Sequence, residues 1–455
     1  MNPAQSKAHP QALPHQPAAF PRIAIKGGSL LAGGEAAGQT AAQPIDLFIA
    51  QGSVQAMLPA GQSLDGFTAD LVIDAKNCLV APGLVDLSAR LREPGFEYKA
   101  TLESEMRAAV AGGVTRLVCP PDTDPPLDEP GLVEMLKHRA RSLGQAHVHP
   151  LGALTVGLSG ERLTEMAELT EAGCVGFSQA THPLVDTQVL VRAMQYAKTF
   201  DYTVWAYARD PFLGASGVAH SGPVAGRLGL PGVPTANETL RLMTLFELVR
   251  MTGVSLHVCR LSSAAGVELI RQAKREGLPI TADVAVHHLH MIDVDIGDYD
   301  SNLRVDPPFR SDRDRAALRA GLIDGTIDAI CSDHSPVDDD AKQLPFGEAE
   351  PGVIGLELLL PLTLKWASEE KQSIQKAIAL LTQGPAKILR RDCATLTVGG
   401  QADLCVFSPE EPWLVTNDTL YSQGRNTPYI GREILGRVRA TIVDGRSVFT
   451  RSPLA

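Results

Sequence analysis

Residues 255–286, SLHVCRLSSAAGVELIRQAKREGLPITADVAV, decide the fold. A short β-like run, Ser255–Cys259, is followed by a helical stretch, Ala264–Glu276, and then by a second run, Ile280–Val286. Strand, helix and strand in that order form one unit of a parallel sheet, since a parallel neighbour is reached only through a crossover. The same alternation extends both ways. Upstream lie the runs Gly83–Leu87, Thr115–Cys119, Val148–Leu154, Cys174–Phe177 and Thr203–Ala206, and downstream Ile327–Cys331. Leu132–Leu143, Leu163–Ala172 and Thr239–Thr252 are helical stretches between them. Eight alternations over about 250 residues predict an α/β chain built on a (β/α)8 barrel, with any site at the C-terminal ends of its strands.

The two ends of the chain read differently. Ile23–Ile25, Ile45–Ile49 and Leu71–Ile73 are short apolar runs separated by glycine and polar residues, and the same texture returns in Ala402–Phe407, Gly436–Val443 and Val448. Residues 21–80 and 396–450 are therefore expected to build one small β domain together, with 81–395 forming the barrel. Residues 1–20, with Pro3, Pro10, Pro14 and Pro17, read as a disordered arm, either without a role or as a contact arm for a partner.

Composition narrows the function. Of 455 residues, 44% are hydrophobic and 20% charged, the balance of a globular protein. A net charge of −11 argues against a nucleic-acid binder or a protein of anionic membranes. Apolar runs stay well short of a membrane span. The seven cysteines, Cys78, Cys119, Cys174, Cys259, Cys331, Cys393 and Cys405, form no CxxC pair, so a reducing cytoplasm fits better than a disulfide scaffold.

The ends of the β runs carry the chemistry. The first leads into Ser88-Ala89-Arg90-Leu91-Arg92-Glu93-Pro94-Gly95, the fourth into Gln179-Ala180, the fifth into Tyr207, the sixth into Arg260 and the eighth into Ser332-Asp333-His334. With GPVAGRLGLPGVP (222–234), GVELIRQAK (266–274) and GRVRATIVDGR (436–446), these motifs make the chain similar to the dihydroorotases of the amidohydrolase superfamily from about Arg22 to Val448. The resemblance implies a distorted TIM barrel holding two metal ions, with a small β domain from both termini. It also implies a metal-bound water and a polarised ring carbonyl as the means of hydrolysis.

The ligands implied by that family are largely replaced. Where HxH belongs on the first strand stand Ser88 and Arg90. The bridging carboxylate position is Ala180, and the histidines of the fifth and sixth strands are Tyr207 and Arg260; Asp333 alone matches. A guanidinium has no lone pair to donate and repels a dication. Around the implied substrate position Arg92 is kept, whereas Asp122 and Asp306 replace asparagines and Val337 replaces a histidine. No catalytic residue, metal or cofactor is therefore expected, and a guanidinium is expected on Asp333. Tyr207 should pack into the former cavity, with Asp122 and Asp306 balancing Arg92 and the other cations.

Other candidates read as structural. His287, His288 and His290 are expected to be buried and hydrogen-bonded, and His147 and His149 to be polar positions on one strand face. His334 reads as a packing and hydrogen-bonding residue. Cys119, Cys259 and Cys331 lie near the strand ends, with no histidine assigned to activate a thiol.

Within the family, the parallel is the non-catalytic dihydroorotase-like chain of some bacterial aspartate transcarbamoylases. This implies an inactive scaffold in pyrimidine biosynthesis, with the transcarbamoylase catalytic chain as partner and paired barrels as the bridge. The alternatives are a metal-independent or repurposed cyclic amide hydrolase, and a module binding a pyrimidine metabolite through Arg92 and Arg260.

Overall fold

The computed structural model describes residues 20–31, 43–391 and 395–451; the expectation for the arm at 1–20 falls, apart from Phe20, outside them. Residues 255–286 fold as the strand Ser255–Cys259, the helix Ala264–Arg275 and the strand Ile280–Ala285. Ser263 starts the helix by accepting the Gly266 N–H at 2.9 Å, satisfying one of the donors a helix start leaves over. Val267, Ile270 and Ala273 recur along one face and are buried against the sheet. The two strands pair in parallel, with Leu256 opposite Ile280 and Val258 opposite Ala282.

The same unit repeats around the barrel. Its other strands are Leu84–Asp86, Val114–Cys119, His147–Pro150, Phe177–Ser178, Thr203–Tyr207 and Ala329–Cys331. The third run breaks at Leu151: His147–Pro150 pairs with the second strand, and the short piece Gly152–Ala153 pairs with the fourth. The fourth strand is shorter than its sequence suggests and offset to Phe177–Ser178. Both departures follow from strands being fixed by partners on each side rather than by the apolar run itself.

Closure between the eighth and first strands is incomplete, which is the distortion. Near their starts the backbone of Leu380 and Leu381 is inserted, accepting from Ile330 and Val85 at 3.2 and 2.8 Å. Direct contact resumes at the C-terminal end, where Arg90 N–H donates to His334 O at 2.8 Å and His334 N–H to Ser88 O at 3.1 Å. The seam therefore joins the two stretches that carry Ser88, Arg90 and Asp333.

Both chain ends form one sheet of eight strands. Ile23–Leu30 lies at its middle, flanked by Pro44–Ala50 and, in parallel, by Leu71–Asp74 and Leu79–Pro82. Leu404–Leu414 pairs antiparallel with Leu79–Pro82, so the sheet runs two residues past position 80 before the chain enters the barrel. Glu433–Val443 and Arg446–Thr450 complete the edge. Ile23, Ile25, Leu47, Ile49, Val80, Leu404, Val406 and Ile442 form its separate core.

Between Leu414 and Glu433 the chain leaves this sheet and crosses to the barrel. Glu105 accepts from Ser422 Oγ at 2.6 Å and Gln423 N–H at 2.9 Å. Asn426 holds the eighth-strand loop, accepting the Val337 N–H and donating to Ser335 O, each at 3.0 Å. Among the described residues no helix is long and apolar enough to cross a membrane.

Candidate functional site

Arg90, Arg92, Asp122, Arg260, Asp306 and Asp333 converge on one cavity of about 150 Å³ at the C-terminal ends of the strands. Arg90, Arg260 and Asp333 are respectively 8%, 5% and 4% exposed, so their charges must be satisfied within the protein. Arg260 Nη1 donates to Asp333 Oδ1 at 3.2 Å and to the Asp306 carbonyl at 3.0 Å. Arg90 Nη1 sits 3.6 Å from the same Asp333 oxygen and donates to Ser335 Oγ at 2.9 Å, while its Nε donates to Asp122 Oδ2 at 2.9 Å. Ser88 Oγ lies beside Asp333 at 3.5 Å.

Tyr207 covers the other side. Its hydroxyl donates to Asp306 Oδ1 at 2.6 Å, and the Arg260 guanidinium lies over its ring, 4.3 Å from the centroid. Arg209 adds a pair to Asp306 Oδ2 at 2.9 Å. The result is a run of alternating charge, Asp122–Arg90–Asp333–Arg260, beside a second pair, Arg209–Asp306, so that each of these three carboxylates already faces a cation.

The electrostatics follow. Burial opposes the Arg260 charge, but Asp333, Tyr207 and Asp306 outweigh it and hold its pKa above the ordinary arginine value. Burial would raise the Asp122 carboxyl, yet Arg90 and Arg92 keep it below the usual range. Burial, reinforced by Asp306, pushes the Tyr207 hydroxyl far up, so it stays a donor. Burial also pushes the Cys119 thiol to about 12 and raises Cys259 and Cys331 strongly, which leaves no thiolate nucleophile among the three.

The backbone keeps a feature of a built site. Arg92, Ala180, Arg260 and Asp333 have φ of 61°, 49°, 56° and 47°. Left-handed backbone at non-glycine residues costs on the order of 1–3 kcal/mol each and persists only where the surroundings impose it. The sequence carries no signal for it.

Several expectations need correction. Among the described residues Arg92 makes no direct ion pair with Asp122 or Asp306: its Nε donates to the Pro336 carbonyl at 2.8 Å, Asp122 and Asp306 bond Arg90 and Arg209, and Asp122 balances Arg92 only through its nearby charge. Ala180 lines a separate small hollow with Tyr207. Val337 is buried under Asn426 and does not line the cavity. His288 and His290 bond the carbonyls of Pro307 and Leu362 at 3.1 and 2.9 Å, whereas His287 packs on Tyr429 and approaches the Ser332 backbone, with neither ring nitrogen in full hydrogen-bonding geometry to a described residue. His147 is more than a polar strand position, since Asp444 and Asp403 flank it at 3.4 and 3.6 Å. His334 joins Glu105 through Nε2, and its Nδ1 accepts the Gly355 N–H at 3.0 Å.

Ser335 and Arg209 were not singled out from sequence. Each follows a marked position, Asp333 or Tyr207, by two residues.

The sequence likeness is decisive at this point. Residues 77–265 match the dihydro-orotase-like family model, and residues 313–449 match the amidohydrolase family model. A dihydroorotase-like protein of Pseudomonas aeruginosa is 44% identical over 400 residues, 88% of this chain and 94% of that protein. The chain belongs to the dihydroorotase-like family. A dihydroorotase of Syntrophotalea carbinolica is 40% identical over 84% of this dihydroorotase-like chain and 89% of its own length. In three dimensions, the L-hydantoinase of Arthrobacter aurescens superposes with a TM-score of 0.82 at 22% identity, over 95% of this chain and 97% of that one.

The two metal ions associated with the fold can be tested against the donors present. Of the six ligand positions that the resemblance implies, only Asp333 offers a carboxylate or imidazole donor, and two guanidinium groups already surround it. The donor set does not fit a pair of dications. Among the described residues, His257–Cys259–Asp283 and His147–Asp403–Asp444 are the groups close enough to share an ion, and neither uses a strand-end ligand position. In the first, His257 already bonds Asp283 at 2.9 Å, and Asp283 accepts the Arg260 N–H at 2.6 Å.

Proposed function

We propose that this dihydroorotase-like chain is a catalytically inactive homologue that acts as an assembly subunit for an aspartate transcarbamoylase in pyrimidine biosynthesis. The observation that carries the reading is the double guanidinium clamp on Asp333, from Arg260 at 3.2 Å and Arg90 at 3.6 Å. A general base must be free to take a proton from an activated water. Here the acid is a structural counter-ion, while the barrel, the terminal sheet and the strained strand ends retain the shape of the family. A shape kept without its chemistry fits a subunit whose work is contact.

Pairing of two barrels would let one dimer bridge two transcarbamoylase trimers, since a two-fold interface presents the same surface twice. Light scattering after size exclusion of the mixed chains tests this. The expected outcome is a complex several times the mass of a trimer. A transcarbamoylase that remains a free trimer with both chains at micromolar concentration rejects the proposal.

A further inference from the structure

The opposite face of the barrel holds a much larger cleft, of about 940 Å³. It lies between the helix Pro130–Leu143, the starts of the third and fourth strands, and the Asp444 turn of the terminal sheet. Lys137, Arg141, His147, Arg391 and Arg446 line it, and Asp444 is the one carboxylate among its described lining residues. In a chain of net charge −11, such a local excess of cations is unusual.

Among the described residues, two of these cations have no carboxylate partner. Lys137 Nζ reaches only the Gly173 carbonyl, at 3.5 Å, and Arg141 Nε only the Lys137 carbonyl, at 3.2 Å. His147 and His149 alternate on one strand face and so both border the cleft. His149 Nε2 is buried there with no hydrogen-bond partner among the described residues, a group that calls for a ligand or a water. Burial opposes protonation of His147, but Asp403 and Asp444 raise it to about 9, so it adds a positive charge at neutral pH. Burial pushes His149 to about 3, and the charges of Arg116, His147, Arg391 and Lys137 add to the shift.

We infer that this cleft binds a small molecule bearing an oligophosphate group, at a site separate from the strand-end network. Several cations spread around one space suit an anion with several charges, because charge-assisted hydrogen bonds to phosphate oxygens are the strong ones. The volume lies at the upper end of the ~300–1,000 Å³ typical of small-molecule pockets. Ala140, Ala146, Val148 and Val443 give it an apolar part of the lining that suits an organic portion. The site makes no use of the strand ends, so it stands or falls independently of the assembly role.

Calorimetric titration of the full chain with inorganic tripolyphosphate and, separately, with ATP tests the inference, with sodium sulfate at matched ionic strength as the control. Saturable binding of at least one phosphate probe is expected, and none of sulfate. Tighter ATP binding would assign the site to organic phosphates, and equal binding to the oligophosphate alone. The double substitution Lys137→Met and Arg141→Gln, on an outer helix face, should weaken binding by about tenfold or more, the scale of one lost charge-assisted contact. Absence of saturation at millimolar probe overturns the inference. So does unchanged affinity in the double variant, or loss of binding in Arg92→Gln instead.

Discussion

Arg260 Nη1 lies 3.2 Å from Asp333 Oδ1, and both residues hold left-handed backbone, with φ of 56° and 47°. Two strand ends that could converge on metal thus converge on each other. Taking both charges out of water costs several kcal/mol per ion, which their attraction offsets only with good geometry and further hydrogen bonds. Ser88, Tyr207 and the Asp306 carbonyl supply those contacts.

Arg260→Met should destabilise the barrel by about 3 kcal/mol, the lower part of the range for breaking a buried pair, because Arg90 remains near Asp333. Adding Asp333→Leu should recover much of that loss, since no uncompensated charge is then left. Urea unfolding of the two single variants and the double completes the cycle. An unchanged Arg260→Met midpoint would refute the clamp.

The purified chain should hold no stoichiometric zinc and should not hydrolyse dihydroorotate, with or without added zinc, manganese or cobalt. Ser88→His with Arg90→His should fail to restore turnover, because Ala180, Tyr207 and Arg260 still occupy ligand positions and such residues act as a unit. Elemental analysis and a hydrolysis assay are the measurements. Wild-type turnover abolished by Asp333→Ala would overturn the inactive reading.

Tyr207→Phe removes the hydroxyl that donates to Asp306 at 2.6 Å but leaves Arg209 on the same carboxylate. A loss of about 1–2 kcal/mol is expected. Tyr207→Ala also removes the ring beneath Arg260 and should cost about 3–5 kcal/mol, as for other large-to-small changes in a core. Thermal unfolding distinguishes the two.

His147 sets a pH dependence. Its ordinary pKa of 6.5 is raised in the folded chain to about 9, so it binds more protons folded than unfolded between these values. Its contribution is fully present below 6.5 and is lost as pH rises through about 9. The pairs at 3.4 and 3.6 Å are long and partly exposed, so about 1 kcal/mol is expected after solvent screening. The stability difference between the wild type and His147→Gln should shrink from pH 6 to pH 10. A difference independent of pH would remove the ion pair.

Much of the architecture was legible because periodicity is local. The run at 255–286 reads as strand, helix and strand to within a residue at each boundary, since apolar spacing acts over a few residues. The third and fourth strands were misjudged because pairing on both flanks sets their extent. In the site, the resemblance marks the implied ligand positions, and the residues standing there are Ser88, Arg90, Ala180, Tyr207 and Arg260.

Which acid met which base was not legible. Arg90 and Asp122 are 32 residues apart, Arg260 and Asp333 are 73 apart, and Tyr207 and Asp306 are 99 apart. Arg92 could have taken either new aspartate on charge alone, yet its Nε bonds the Pro336 carbonyl. The alternating His147 and His149 gave away their shared face, but only the fold set the Asp444 turn and Lys137 beside them. The sequence by itself determined the barrel, the shared terminal sheet and the residue types that stand at the strand ends, because patterning and side-chain chemistry belong to the chain. Tertiary structure alone decided the ion pairing and the basic cleft, because Coulomb energy and hydrogen bonding depend on distances and burial between segments remote in sequence.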